Sequence, residues 1–197
     1  AVALQSWADR PQLLVGQSLG GLTAAAVAAN HPELVRSLVV IDITPGIDTS
    51  AGPRQLRAFF AGATDWATRE ELVEHALSFG LGGARAAAER GVFHNSRVRE
   101  DGRVEWKHHF AHLVAAAAND PEGLDALASA VDPRGWDDLT TTQAPVLLIR
   151  GDHGFVSDSD AEEFVKRVPA ASVVTLSTGH NVHEEKPAEL AELLRFR

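Results

Sequence analysis

One short stretch limits what this chain can become: Gly16-Gln17-Ser18-Leu19-Gly20, with Gly21 behind it. The apolar segment Leu13-Leu14-Val15 leads into it, and the alanine-rich run Leu22-Thr23-Ala24-Ala25-Ala26-Val27-Ala28-Ala29 leads out. The first reads as a strand and the second has the composition of a good helix. A strand, a G-x-S-x-G turn and a helix, in that order, spell the elbow that presents a nucleophilic serine. A serine on so tight a turn sits in strained backbone, and glycines on either side, 16 and 20, remove Cβ atoms that would clash. The helix starting at Leu19 aims its free N–H groups at negative charge developing beside the serine. The plainer reading is a glycine-rich turn whose serine merely caps the helix. The flanking elements, the extra Gly21 and a Gly179-His180 pair far downstream favour Ser18 as a nucleophile.

The rest of the chain builds outward from that turn. Residues 1–10 read as a helix ended before Pro11, and His31-Pro32-Glu33 stops the elbow helix over 19–30. Residues 34–43 read as the next strand, because Leu38-Val39-Val40-Ile41 is an unbroken apolar run of the kind buried on both faces of a parallel sheet. From 47 to 142 alanine, arginine and glutamate dominate, with helical periodicity over 55–61, 68–79, 83–90, 106–118 and 121–130. That is longer than an ordinary crossover between parallel strands, so the segment reads as an inserted helical lid. The sheet resumes over 144–151, followed by a helix over 158–168, a strand over 172–176 and a last helix over 187–196. The expected fold is α/β, a mostly parallel sheet with flanking helices, its core divided between 1–46 and 143–197 around the lid at 47–142.

Composition matters here for what it excludes. With 18 Lys and Arg against 27 Asp and Glu the formal charge is −9, which argues against nucleic acid or an acidic membrane surface as partner. Cysteine is absent, so there is no disulfide framework, and no apolar run approaches the ~20 residues of a membrane span. A cytoplasmic protein acting on a small molecule is the expectation. The 197 residues suit a single core that buries about 70% of the unfolded surface.

A serine nucleophile needs a base, and the base an orienting acid. His180 follows a glycine just past a strand, in the loop zone at the carboxyl edge of the sheet; His183 is its competitor. The acid has two slots between Ser18 and His180. One is the loop 151–158, which holds Asp152 and Asp158. The other is Asp42, framed by Ile41 and Ile43, where a buried carboxylate needs a partner such as histidine. Gln17, Phe155 and Trp106 are candidate pocket residues, and Leu19 supplies an oxyanion N–H. His108 and His112 share a helical spacing but find no third ligand, so neither metal nor cofactor is expected.

Taken together, Gln17-Ser18-Leu19-Gly20-Gly21, Val40-Ile41-Asp42-Ile43-Thr44-Pro45, Arg150-Gly151 and Gly179-His180 resemble the α/β-hydrolase family, in order and spacing along essentially the whole chain. Within it the chain is similar to a small bacterial carboxylesterase branch with an "IDI-x-P" motif after the elbow helix and a lid segment like Gly91-Val92-Phe93-His94-Asn95…Asp101-Gly102-Arg103-Val104-Glu105-Trp106. In most of the family the acid sits about three residues after the glycine of the Arg150-Gly151 strand, a place occupied here by Gly154. In the resembled branch the acid maps onto Asp42, and the resemblance therefore implies a triad of Ser18, His180 and Asp42, with Asp152 and Asp158 as reserves. It implies hydrolysis of a carboxylic ester through an acyl-enzyme. Hydrolysis of a C–C bond or lactone, cofactor-free perhydrolysis, and a non-catalytic small-molecule-binding protein are the alternatives. Family members also begin with several strands and carry a second oxyanion donor in an HG-type loop. Nothing like it precedes Ser18, so the expectation is a missing N-terminal segment, or a second chain, that completes the sheet.

Overall fold

The computed structural model describes residues 1–7, 9–46, 59, 62–79, 84–108 and 134–195. In chain order the elements are α1 (Val2–Trp7), β1 (Gln12–Gln17), α2 (Leu19–Asn30), β2 (Val35–Ile41), β3 (Asp65–Trp66), α3 (Arg69–Ser78), α4 (Arg85–Asn95), β4 (Ser96–Val98) and β5 (Val104–Trp106). They continue with α5 (Arg134–Thr141), β6 (Val146–Gly151), α6 (Asp158–Arg167), β7 (Ser172–Leu176), α7 (Val182–Glu185) and α8 (Pro187–Leu194). The chain divides into two compact units, Ala1–Asp48 with Val131–Arg197, and Thr49–Ala130.

The first unit is built on a four-stranded parallel sheet in the order β1-β2-β6-β7. Its central strands β2 and β6 show why their sequences do not alternate. Leu38, Val40, Val146 and Leu148 pack on one face with Ala25 and Ala28 of α2, Leu139 of α5 and Phe164 of α6. Val39, Ile41, Leu147 and Ile149 pack on the other with Val182 of α7 and Leu190 of α8. Each of these eight strand side chains is at most 3% exposed, as a strand covered on both faces requires. On α2 the buried positions are Gly21, Leu22, Ala24, Ala25 and Ala28. Small side chains let this helix lie close to β2: a Cβ on Gly21 would come within 2.9 Å of Val40. The helix stops at His31, where Pro32 begins a 3-10 turn over Pro32–Leu34 before the chain enters β2.

Strand register then sets what emerges at the carboxyl edge. Gln17 lies opposite Ile41, and Ile41 opposite Ile149. The next residues along each strand, Ser18, Asp42 and Arg150-Gly151, therefore come out side by side. β7 ends opposite the same place, with Leu176 paired to Gly151, and the segment carrying His180 leaves from there. This is the edge at which open α/β sheets hold their sites.

Two helices of this unit lie outside the expected pattern. α5 contains Gly135, Asp137, Asp138 and three threonines counting Thr142 behind it, a poor helical sequence, and tertiary contact decides it. Leu139 is fully buried, and Gly135 abuts Pro45 so closely that a Cβ would stand 3.0 Å from the proline ring. The short α7 is the other. By contrast α6 carries its signal locally, since Ser157 and Asp160 form a reciprocal capping box.

The second unit adds strands to the expected helical segment. Its described residues hold α3 and α4 together with an antiparallel sheet in the order β3-β5-β4. Trp106 does not begin a helix; it ends β5, with Trp66, Leu72, Val73, Ala88, Val92 and Val104 around it in the unit's core. The turn between β4 and β5 closes by Arg99 N–H to Arg103 carbonyl at 2.8 Å, with Gly102 at φ 82. Asp65 binds Arg99 at 2.8 Å and Arg103 at 2.6 Å, tying β3 to this hairpin. The expected helices over 121–130 and 55–61, Phe59 apart, lie outside the described residues, as does 109–118. No helix among the described residues is long and apolar enough to cross a membrane.

Candidate active site

Among the described residues, the two non-glycine residues with positive φ are Ser18, at 52, and Asp42, at 49. Such backbone costs about 1–3 kcal/mol for a residue in a sparsely populated region and collects at functional sites. At Ser18 the strain is held by two hydrogen bonds: its N–H donates to the Ile41 carbonyl at 2.8 Å, and its carbonyl accepts from Gly21 N–H at 2.7 Å. The hydroxyl makes no capping bond to α2, so the serine is not there to finish a helix. Gly16 is required by space, because a Cβ would stand 2.2 Å from the Gly20 carbonyl oxygen and 2.6 Å from Gly21 Cα. Gly20 is not, since nothing lies within 4 Å of the Cβ it lacks. The expectation that the glycines 16 and 20 clear the turn is thus corrected to Gly16 and Gly21; the backbone of Gly20 is what Gly16 must avoid. Leu19, as the first residue of α2, has no intrahelical acceptor for its N–H.

Asp42 is 0% exposed, and every donor a buried carboxylate needs is present. Oδ1 accepts from Gly151 N–H at 3.2 Å, Oδ2 from Phe155 N–H at 2.6 Å and from His180 Nδ1 at 2.7 Å. The Asp42 N–H still continues the β2–β6 pairing, donating to Ile149 at 2.8 Å, so the left-handed backbone at this one residue turns the side chain out over the end of β6. Facing the carboxylate, Nδ1 of His180 donates, so in the neutral imidazole Nδ1 carries the proton and Nε2 the lone pair. The loop after β6 comes this close only because residue 154 is glycine: a Cβ there would sit 2.3 and 2.4 Å from the two Asp42 oxygens. The place where most family members are expected to carry their acid is filled by a carboxylate arriving from β2.

The remaining candidates are placed elsewhere or in other roles. Asp152 accepts from His153 Nδ1 at 2.7 Å and from Thr178 N–H at 3.0 Å, which ties the loop after β6 to the loop after β7. Its carboxyl titrates below the usual carboxylate range, chiefly because of the His153 hydrogen bond. Asp158 is an exposed partner of Arg150. Neither meets His180. His183 is half exposed and lies 4.0 Å from Glu184. Gln17 donates its side-chain amide to the His180 carbonyl at 3.3 Å. Phe155 stacks on the His180 ring, with centroids 3.7 Å apart and planes 12° from parallel. Trp106 is buried in the second unit's own core. His112 lies outside the described residues, among which no cluster of potential metal ligands occurs. Sequence reasoning missed one tie: Glu185 accepts Gly179 N–H with both carboxylate oxygens, at 3.0 and 3.2 Å, and no local pattern advertises it.

The sequence model of the Alpha/beta hydrolase family matches residues 2–193. The chain belongs to that family. Among alpha/beta hydrolases it is similar to the esterase Rv0045c of Mycobacterium tuberculosis, 31% identical over 204 residues, a match covering 99% of this chain and 63% of the esterase. It is 28% identical over 190 residues to the sn-1-specific diacylglycerol lipase ABHD11 of Mus musculus, covering 92% of this chain and 57% of the lipase. Of solved structures, that of the M. tuberculosis esterase Rv0045c superposes with a TM-score of 0.74 at 28% identity, covering 100% of this chain and 65% of that one. The crystal structure of E-2-(acetamidomethylene)succinate hydrolase reaches 0.79 at 22% identity, covering 98% and 69%, a likeness of fold. The chain thus spans less than two thirds of the length of both curated relatives.

Proposed function

We propose that this chain carries the site of a serine hydrolase that cleaves carboxylic esters with an apolar acyl group. The observation that carries the reading is the buried Asp42 carboxylate bound to Nδ1 of His180, in a sheet whose register sets Ser18 beside Asp42. Ser18 Oγ attacks the acyl carbon while Nε2 of His180 takes its proton, and Asp42 stabilises the imidazolium that forms. The Leu19 N–H, at the start of α2, donates to the oxyanion. His180 then returns the proton to the leaving alkoxide, and water, activated by the same imidazole, releases the acid from Ser18. The names of the relatives, an esterase and a diacylglycerol lipase, support an ester as the substrate class, and the half-exposed Leu19 beside Ser18 offers an apolar contact.

The test is active-site labelling combined with two aspartate variants. A fluorophosphonate probe labels the folded protein stoichiometrically and fails on Ser18→Ala. Asp42→Asn lowers kcat for a p-nitrophenyl ester by several orders of magnitude; a loss of about 10⁴ accompanies the equivalent change in a serine protease of another fold. Asp152→Asn, whose carboxylate ties two loops, stays within about tenfold of the parent. No labelling of the folded protein rejects the serine hydrolase, and a larger loss in Asp152→Asn than in Asp42→Asn reassigns the acid.

A further inference from the structure

Phe155 touches both partners of the acid–base pair in two different ways. Its backbone N–H donates to Oδ2 of Asp42 at 2.6 Å, the same oxygen that accepts His180 Nδ1 at 2.7 Å. Its ring lies over the imidazole at 3.7 Å and 12° from parallel. The ring is itself held, packing against the core cluster between the sheet and α2. We propose that Phe155 is a positioning residue of the base: its ring holds the His180 imidazole in plane while its N–H holds the carboxylate that orients it. The inference rests on the Ser18, His180 and Asp42 reading above and deepens it.

The physical need is specific. The hydrogen bond from Nδ1 and the covalent bond from Cγ to Cβ hold one edge of the imidazole but let the ring tilt about that edge. Tilting swings Nε2, on the far side of the ring, away from the serine oxygen it must deprotonate. A face contact removes that freedom. The contact also strengthens when the base is protonated, because the phenyl face attracts a cation lying over it. An interaction worth more in the transition state than in the resting enzyme acts on kcat, whereas a pocket wall acts on KM.

The experiment separates those roles with side-chain variants that leave the backbone N–H in place. Phe155→Leu removes the aromatic face, and Phe155→Tyr keeps it. The expected result for Leu is a kcat about three- to tenfold lower with KM within about twofold, and recovery of most of that loss by Tyr. In the proton spectrum, the downfield Nδ1–H signal of His180 is sharp in the parent and in Phe155→Tyr and broadened by solvent exchange in Phe155→Leu. Urea unfolding checks that each variant is folded, and Phe155→Met replaces Leu if Leu is not. A rise in KM at constant kcat, no change in either, or a Tyr variant as impaired as Leu overturns the proposal. If the parent neither labels nor turns over, the esterase reading fails. The Nδ1–H signal then decides alone: a resonance as sharp in Phe155→Leu as in the parent overturns the positioning role.

Discussion

Replacing Gly154 by alanine drives a methyl group into the Asp42 carboxylate. The added Cβ would stand 2.3 Å from Oδ1, 2.4 Å from Oδ2 and 2.6 Å from Cγ, roughly 1 Å inside the closest ordinary approach. The φ of Gly154 lies outside the left-handed region, so the expected effect is argued from space. Neither party can step aside. The carboxylate is fully buried and pinned by Gly151, Phe155 and His180, and the loop is pinned by the same bonds. Relief therefore breaks at least one hydrogen bond to a charged group, worth about 1.5–3 kcal/mol, and adds an overpacking strain of about 1–3 kcal/mol. A loss of about 3–5 kcal/mol in urea unfolding is expected, with a fall in kcat of about 10² from the displaced base. The decisive assay is a double-mutant cycle with Asp42→Ala. Once the carboxylate is gone, Gly154→Ala should cost less than about 1 kcal/mol. An equal cost in both backgrounds refutes the steric reasoning and means that Gly154 is needed for something other than Asp42.

Two further perturbations read other parts of the molecule. Gly16→Ala should destabilise the elbow severely, because its Cβ meets backbone, whereas Gly20→Ala should leave the thermal midpoint unchanged or raise it, since Ala is favoured over Gly in a helix by up to about 1 kcal/mol; equal losses in both would refute the assignment of space at the turn. In the second unit, the Asp65 carboxyl titrates below its ordinary 3.8, chiefly because Arg103 hydrogen-bonds it. A depressed carboxyl contributes stability that is complete above the unfolded value and lost as pH falls through the folded one. Parent and Asp65→Asn stabilities should therefore differ at neutral pH and converge on acidification below 3.8, a comparison made by unfolding at a series of pH values; a constant difference refutes the linkage.

Much of the fold is legible locally. α2 spans Leu19–Asn30, as the alanine-rich run predicts, because the turn before it and His31-Pro32 after it are both strong local signals. β2 and β6 are legible because burial on both faces demands unbroken apolar runs. The hairpin of β4 and β5 carries a readable cue in Asp101-Gly102, but its strands have three residues each, too short to show an alternating pattern, and periodicity assigns nothing over 91–105. α5 is poor in helix formers, its local cue being the i, i+3 pair Trp136 and Leu139, and packing against α2 and Pro45 decides it.

The chemistry divides the same way. Sequence alone determined that Ser18 stands on a glycine-cleared turn between a strand and a helix, and that a histidine follows a glycine after the last strand. Those features depend on neighbours in the chain. Read residue by residue it left Asp42, Asp152 and Asp158 open, because a carboxylate is the same group wherever it stands, and only the resemblance pointed to Asp42. The tertiary structure sets Asp42, and neither of the others, against His180. The β1–β2–β6 register brings the end of β2 beside Ser18, the left-handed backbone of Asp42 turns its carboxylate over β6, and the missing side chain at Gly154 opens the space it fills. The pairing of β2 with β6 and the approach of Gly154 to Asp42 each join residues more than a hundred positions apart in the chain, and such distances are closed by the fold.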